Sequence, residues 1–253
     1  MRRVVIDFFP ESVSHYQHGY GVVAVDVIRA STTIATAVSM GRRCFPVPSL
    51  EAGWEVAARL RNPLLAGELG GITPPGFEMN NSPAELASRD DVSRPLVLLS
   101  STGTKLIHLA RPCDAAYVGC LRNYEFLSRY LAGRHSRIAL IGAGSRGERR
   151  EEDQICCAWM ARQLIDSGYA AEDRETEETV ERWGAASTDP ILSGRSADFL
   201  RRTGQGRDLA FIMTHIADLE WAFAFQDGEV VRCAPSQDEF ALSGTGSGTG
   251  EGW

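Results

Sequence analysis

Short apolar runs alternate with amphipathic stretches through the first two thirds of the chain. Val4–Phe8, Val22–Val25, Cys44–Val47, Leu64–Ala66, Pro95–Ser100, Ala115–Gly119 and Arg137–Ile141 are rich in β-branched and aliphatic residues and read as buried strands. Between them the apolar spacing changes to that of a helix. Thr32–Met40, closed by Gly41, Leu50–Leu60 behind the N-cap Ser49, Gly103–Arg111, Tyr124–Leu131 and Glu152–Ser167 are the predicted helices. Ser82-Pro83-Ala84-Glu85 combines a capping box with proline at the first helical position, a strong helix start. Strand and helix alternate, so the expected fold is α/β: three layers, α/β/α, around a mostly parallel sheet.

Elsewhere the pattern is weaker. His15, Tyr16 and His18 fall in a polar loop and read as surface residues. Residues 171–184 form a charged helix with a solvated face, and Ala197–Arg202 a short helix ended by Gly204. Trp221–Phe225 and Val230–Cys233 flank Asp227-Gly228, a hairpin turn. From Ser243 the chain is almost entirely Gly, Ser and Thr, which predicts a flexible tail. One domain over residues 1–240 is expected, with a split into two subdomains near 125–135 as the alternative.

Composition narrows the partners. A hydrophobic content of 43% supplies a sizeable core, and a net charge of −7 argues against nucleic acid or an anionic membrane. No apolar run is long enough to span a bilayer, and no signal-peptide core stands at the N-terminus. The six cysteines form no CxxC pair and are read as buried, reduced thiols of a cytoplasmic protein.

Candidate chemistry lies in loops after strands, where α/β proteins place ligands. Asp26 and Arg29 sit between a strand and a helix start carrying Ser31, Thr32 and Thr33. Free N–H groups and hydroxyls there favour an anion, and a carboxylate beside them fits a bridging divalent cation; a plain Asp–Arg ion pair fits equally well. The long 67–82 loop brings Glu68, Glu78 and the Asn81-Ser82 pair. Thr102-Gly103-Thr104-Lys105 offers a second small-residue helix start with a cation, and a fourth loop ends in Glu151-Glu152-Asp153. Carboxylates, cations and anion-friendly turns recurring at successive strand ends fit metal-assisted phosphoryl chemistry. Gly142-Ala143-Gly144-Ser145-Arg146-Gly147 matches G-x-G-x-x-G, but charged residues intervene before the helix, so an ordinary loop is favoured over a nucleotide-binding oxidoreductase. His108, His215, Cys156 and Cys157 are read as packing residues.

Taken together, Val25–Thr33, Gly67-Glu68…Gly70-Gly71, Gly76-Phe77-Glu78…Asn81-Ser82-Pro83, Gly103-Thr104, Glu152-Asp153 and Arg207-Asp208 resemble the 2-phosphosulfolactate phosphatases, the ComB-like family. The resemblance covers about residues 3–235. It implies an α/β/α phosphatase that uses Mg²⁺ to remove phosphate from 2-phosphosulfolactate during coenzyme M synthesis. It departs at Leu69, where the family has Arg, at Glu78 for Asp, at Asn80 for Gly, and at Thr102 for Asn. On this reading Asp26, Arg29 and Glu68 are catalytic, and Asp26, Glu68, Glu78 and Asp153 are candidate Mg²⁺ ligands. Ser31, Thr32, Thr33, Asn81, Ser82, Thr102, Gly103, Thr104 and Lys105 would bind the substrate. The expected partner is a small anionic phosphate ester, and a homo-oligomer is compatible with it. Leu69 predicts a less anionic ester than phosphosulfolactate, unless Lys105 or Arg146 compensates from a neighbouring loop. A family member that binds an anion without catalysis is the second reading.

Overall fold

The computed structural model describes residues 1–233; the tail from Ser243 lies outside them. Ten strands are present among the described residues: β1 (Arg3–Phe8), β2 (Gly21–Val25), β3 (Cys44–Val47), β4 (Leu64–Gly67), β5 (Leu96–Leu99), β6 (Ala115–Gly119), β7 (Arg137–Gly142), β8 (Ala170–Ala171), β9 (Phe223–Gln226) and β10 (Glu229–Arg232). The helices are α1 (Ala30–Ser39), α2 (Leu50–Ala57), α3 (Pro83–Ala87), α4 (Gly103–Leu109), α5 (Tyr124–Leu131), α6 (Glu151–Asp166), α7 (Arg174–Trp183), α8 (Asp189–Ser193), α9 (Arg195–Arg202) and α10 (Gly206–Thr214). Local signals act as expected: Ser49 accepts from the Ala52 N–H and Ser82 from the Glu85 N–H, each capping its helix. No helix among the described residues is long and apolar enough to cross a membrane.

All ten strands join one sheet in the order β4-β5-β3-β10-β9-β6-β2-β7-β1-β8. Two parallel blocks, β4-β5-β3 and β6-β2-β7-β1-β8, are linked by the β9–β10 hairpin, which pairs antiparallel with β3 and with β6. The mostly parallel three-layer expectation holds. The hairpin, however, reverses strand sense between the blocks, so strand direction alone would not place all the C-terminal ends on one edge.

Alternation along each strand feeds both faces. Val22 and Ala24 of β2 point into one core while Val23 and Val25 point into another, and β7 does the same with Ala139 and Ile141 against Ile138 and Leu140. The first core continues across both blocks, from Leu64 and Leu96 through Phe223 and Phe225 to Val5. The opposite face is divided: Val97 and Leu99 pack under α2, and the larger cluster lies under α5, α6 and α7. Cys156 and Cys157 are fully buried in that second cluster, as packing residues.

Several segments differ from expectation, among them the two-residue strand β8, where the helix expected from residue 171 begins only at Arg174. Residues 10–16 are a 3-10 helix rather than a loop, and Tyr16 is buried, donating to Asp7 Oδ2 at 2.8 Å. The aromatic faces inward because the helix packs on α4. α8 and α10 were not legible in the apolar spacing. Asp208 is buried in α10, a polar residue at an inward position that breaks the pattern.

Candidate active site

A cleft of about 590 Å³ opens where the loops after β2, β4, β5 and β7 meet α9. Asp26, Arg29, Glu68, Asn81, Thr102 and Asp153 all line it. The strand-end loops therefore converge, although they come from both blocks.

Asp26 is one of three buried carboxylates in the cleft, with Glu152 and Asp153. It follows the all-buried strand β2 and is itself only 8% exposed. Gly103 is what leaves room for it: a Cβ on that residue would stand 2.2 Å from Asp26 Oδ2. Burial, with the charges of Glu68 and Glu152, pushes its carboxyl up to about 7, against the Ala30 N–H it accepts and the more distant Arg29. Asp153 ties two strand ends together, accepting from the Val27 N–H at 2.9 Å and the Gly144 N–H at 3.3 Å. Burial first, then Glu152 and Asp26, holds its carboxyl well above the usual range. Glu152, 1% exposed, is raised mainly by burial, and its Oε2 has no protein partner.

Glu68 and Arg29 organise the other side. Glu68 Oε1 accepts from the Ser101 N–H at 2.8 Å, and Oε2 from the Gly71 N–H at 2.7 Å and the Ser101 hydroxyl at 2.9 Å. Arg29 follows a cis Ile28–Arg29 peptide bond and is 5% exposed. Its partners are Asp208 Oδ2 at 2.6 Å and Asn80 Oδ1 at 2.7 Å, so the Asp26–Arg29 ion pair that the sequence allowed is not the one formed. Asp208 Oδ1 also accepts from the Ser82 hydroxyl at 2.5 Å and the Ala84 N–H at 3.1 Å. The network joins the β2–α1 turn, the 68–82 loop and α10. Asn80, which departs from the family's glycine, thereby acquires a role. Asn81 is 2% exposed and its Oδ1 lacks a partner.

Several candidates lie elsewhere. Glu78 pairs with Arg94, away from the cleft. Lys105 pairs with Glu11 at 3.1 Å beside a separate shallow groove. The hydroxyls of Ser31, Thr32 and Thr33 are buried and bonded to backbone: Ser31 Oγ accepts from the Asp26 N–H, while Thr32 donates to Val27 O and Thr33 to Arg29 O. The Ser31 and Thr33 N–H groups bond Asp26 O and Arg29 O, so this helix start is occupied by its own turn. Thr104 is likewise occupied, its N–H and hydroxyl bonding within the Ser100 turn. Gly103 and Ser82 act behind the cleft wall, through Asp26 and Asp208. Thr102 lines the cleft and donates to Gly144 O at 3.2 Å. Leu69 is 45% exposed, outside the cleft lining, its backbone paired with Ile72.

Glu152, expected only as part of the acidic run of the fourth loop, lines the cleft, and with it Arg150, Arg195 and Arg202, which no motif marks. Gly144, Ser145 and Arg146 also line the cleft, so the glycine run is part of the site rather than an ordinary loop. The helix after it starts only at Glu151, too late for a dinucleotide-binding turn.

The donors fit a hard cation. Three mutually repelling buried carboxyl groups, Asp26, Glu152 and Asp153, and two orphaned acceptors, Asn81 Oδ1 and Glu152 Oε2, are oxygen groups that a divalent ion would neutralise and satisfy. Among the described residues, no three His, Cys, Asp or Glu side chains form a preassembled metal cluster. Mg²⁺ keeps several waters and needs one or two carboxylates, so Asp26 with Glu68 or Glu152 is a sufficient donor set.

A three-layer α/β protein with carboxylates and arginines facing one strand-end cleft has groups that suit a small anion and, beside it, a cation. The chain belongs to the 2-phosphosulpholactate phosphatase family, whose model matches residues 7–218. Relatives named probable 2-phosphosulfolactate phosphatase occur in Symbiobacterium thermophilum, 31% identical over 196 residues, covering 76% of this chain and 81% of that one. Those of Deinococcus radiodurans (29% over 214 residues, 83% and 88% covered) and Clostridium perfringens strain SM101 (27% over 217 residues, 82% and 87% covered) bear the same name.

Proposed function

We propose that this protein is a Mg²⁺-dependent phosphatase that hydrolyses 2-phosphosulfolactate to 3-sulfolactate and inorganic phosphate. The observation that carries the reading is the convergence of Asp26, Glu68, Glu152 and Asp153 with Arg29 in one cleft, in a chain of this family. Bound Mg²⁺ would draw charge from the phosphoryl oxygens and weaken the bond to the leaving oxygen. Asp26 and Glu68 would hold it, with Glu152 or Asn81 Oδ1 completing the set. Asp153 accepts one backbone N–H on each oxygen, which fixes the β2 and β7 ends and leaves each oxygen a lone pair for the ion. Arg29, its charge balanced by Asp208 and its position fixed by Asp208 and Asn80, would offer preoriented guanidinium N–H donors to the phosphoryl oxygens. The expectation of a less anionic substrate loses its basis: Leu69 lies outside the cleft lining, and Arg146, Arg150, Arg195 and Arg202 are within it. Free thiols at all six cysteines are consistent with action in the cytoplasm.

The test is phosphate release from 2-phosphosulfolactate across a Mg²⁺ titration, for wild type and Glu68→Gln. Turnover should vanish in EDTA and return with Mg²⁺. The variant should lose metal-dependent turnover while keeping its circular dichroism spectrum, because an amide replaces the anionic oxygen that Mg²⁺ prefers. Release that is indifferent to EDTA, or wild-type turnover in the variant, would refute the mechanism.

A further inference from the structure

Phosphate and metal account for the floor of the cleft and leave its arginine wall unexplained. Arg150, at the N-cap of α6, is 12% exposed. Its terminal nitrogens lie 3.5 Å from Glu148 Oε2 and 3.2 Å from Ser145 O, and its Nε is a buried donor with no partner. Arg195, the first residue of α9, pairs with the same Glu148. Arg202, by contrast, is already neutralised by Asp198 on its own helix at 2.8 Å. Glu148 is 48% exposed and comes from the glycine loop, so its carboxylate bridges two guanidinium groups from separate elements at the cleft mouth. A half-exposed pair of this kind is weak and easily exchanged. A ligand anion with oxygens to spare could take both guanidinium groups in place of Glu148.

We infer that Arg150 and Arg195 form the subsite for the second anionic group of the substrate, the sulfonate or carboxylate that separates phosphosulfolactate from a simple phosphate ester, and that Glu148 is the internal carboxylate displaced when it binds. The identity of the substrate rests on the phosphatase reading; the anion subsite does not. Arg150 and Arg195 thereby act as specificity residues, and Glu148 as their built-in competitor.

Isothermal titration in the presence of Mg²⁺ tests this without turnover. The ligands are 3-sulfolactate, which carries both groups but no phosphate, then lactate, isethionate and inorganic phosphate. Wild type binds 3-sulfolactate. Arg195→Ala, an exposed substitution that the fold should absorb, and Arg150→Lys each weaken it on the order of tenfold, the loss of one charged hydrogen bond. Glu148→Gln tightens it severalfold, and inorganic phosphate shifts less than threefold in all three variants. Whichever of lactate and isethionate keeps the Arg195 sensitivity names the group held. The inference is overturned if wild type does not bind 3-sulfolactate, if Arg195→Ala leaves its affinity unchanged or lowers phosphate equally, or if Glu148→Gln weakens binding. Should no ester be hydrolysed at all, the phosphatase reading falls, while these affinities still decide the subsite.

Discussion

A Cβ on Gly103 would stand 2.2 Å from Asp26 Oδ2 and 2.8 Å from the Ala30 methyl, so this position controls where the Asp26 carboxylate sits. Gly103 opens α4, and alanine is the better helix former there. Gly103→Ala therefore sets a helix gain against displacement of Asp26. Turnover should fall on the order of a hundredfold, the scale of an ångström misplacement at a reacting centre, and the melting temperature should drop, since crowding the buried Ala30 methyl costs about 1–3 kcal/mol against a smaller helix gain. Unaltered kcat would show that Asp26 tolerates the shift. Asp26, Arg29, Glu68, Asn81, Thr102 and Asp153 were legible in the sequence because each lies in a loop after a strand or at the start of the helix that follows, where neighbours along the chain mark the site. Glu78 and Lys105 occupy the right loops but point to Arg94 and Glu11, and loop membership does not fix side-chain direction. Asp208 lies 179 residues from Arg29, a separation at which no local spacing can announce a partner.

Elements are held in register by a second, structural cluster. The Arg42 side chain, after α1, is fully buried and donates to Asp91 O at 2.9 Å, Arg94 O at 2.7 Å and Asp91 Oδ1 at 2.7 Å. It thus fastens α1 to the α3–β5 connection, which keeps the Asp26 turn against the 68–82 loop. Arg89 and Arg42 hold the Asp91 carboxyl far below the usual range, with burial opposing. A depressed carboxyl stabilises the fold above its unfolded pKa, about 3.9, and that contribution fades as pH falls. Asp91→Asn should cost about 2 kcal/mol at pH 7, under the range for a fully buried pair because the Asp91 side chain is 24% exposed. The urea midpoints of variant and wild type should converge progressively below about pH 4; a gap that stays constant would remove Asp91 charge from the account. The elements themselves were largely readable: Cys44–Val47, Ala115–Gly119 and Tyr124–Leu131 coincide with the expected bounds, and the Asp227-Gly228 turn joins the expected hairpin. Their order in the sheet was not, because β9 and β10 insert between β3 and β6, strands far upstream in the chain, and alternation reports burial rather than neighbours.

On the scale of the whole molecule, the cleft is shared between the two parallel blocks, and the hairpin that joins them pairs through one register position with β3 and two with β6. So little strand pairing would suit two independently folding halves. Packing argues the opposite: Phe223 is fully buried and Phe225 nearly so, in a core that runs continuously from Leu64 and Leu96 to Val5 and Ala139. Burying each such aromatic contributes about 1.5–3 kcal/mol, more than the few ladder hydrogen bonds at the junction. The blocks should therefore unfold together. Two tryptophans report on them separately: Trp54 on α2 stands edge-on to Phe77 in the β3–β5 block, and Trp159 on α6 packs on Tyr124 in the other. Variants retaining only Trp54 or only Trp159 should give coincident urea midpoints, with phosphate release lost at the same concentration. Phe223→Ala should lower both midpoints together, by about 3–5 kcal/mol in stability. If the Trp54 transition instead precedes the Trp159 transition, the shared core does not couple the blocks, and the cleft is a junction between two folding units whose activity ends when the weaker one opens.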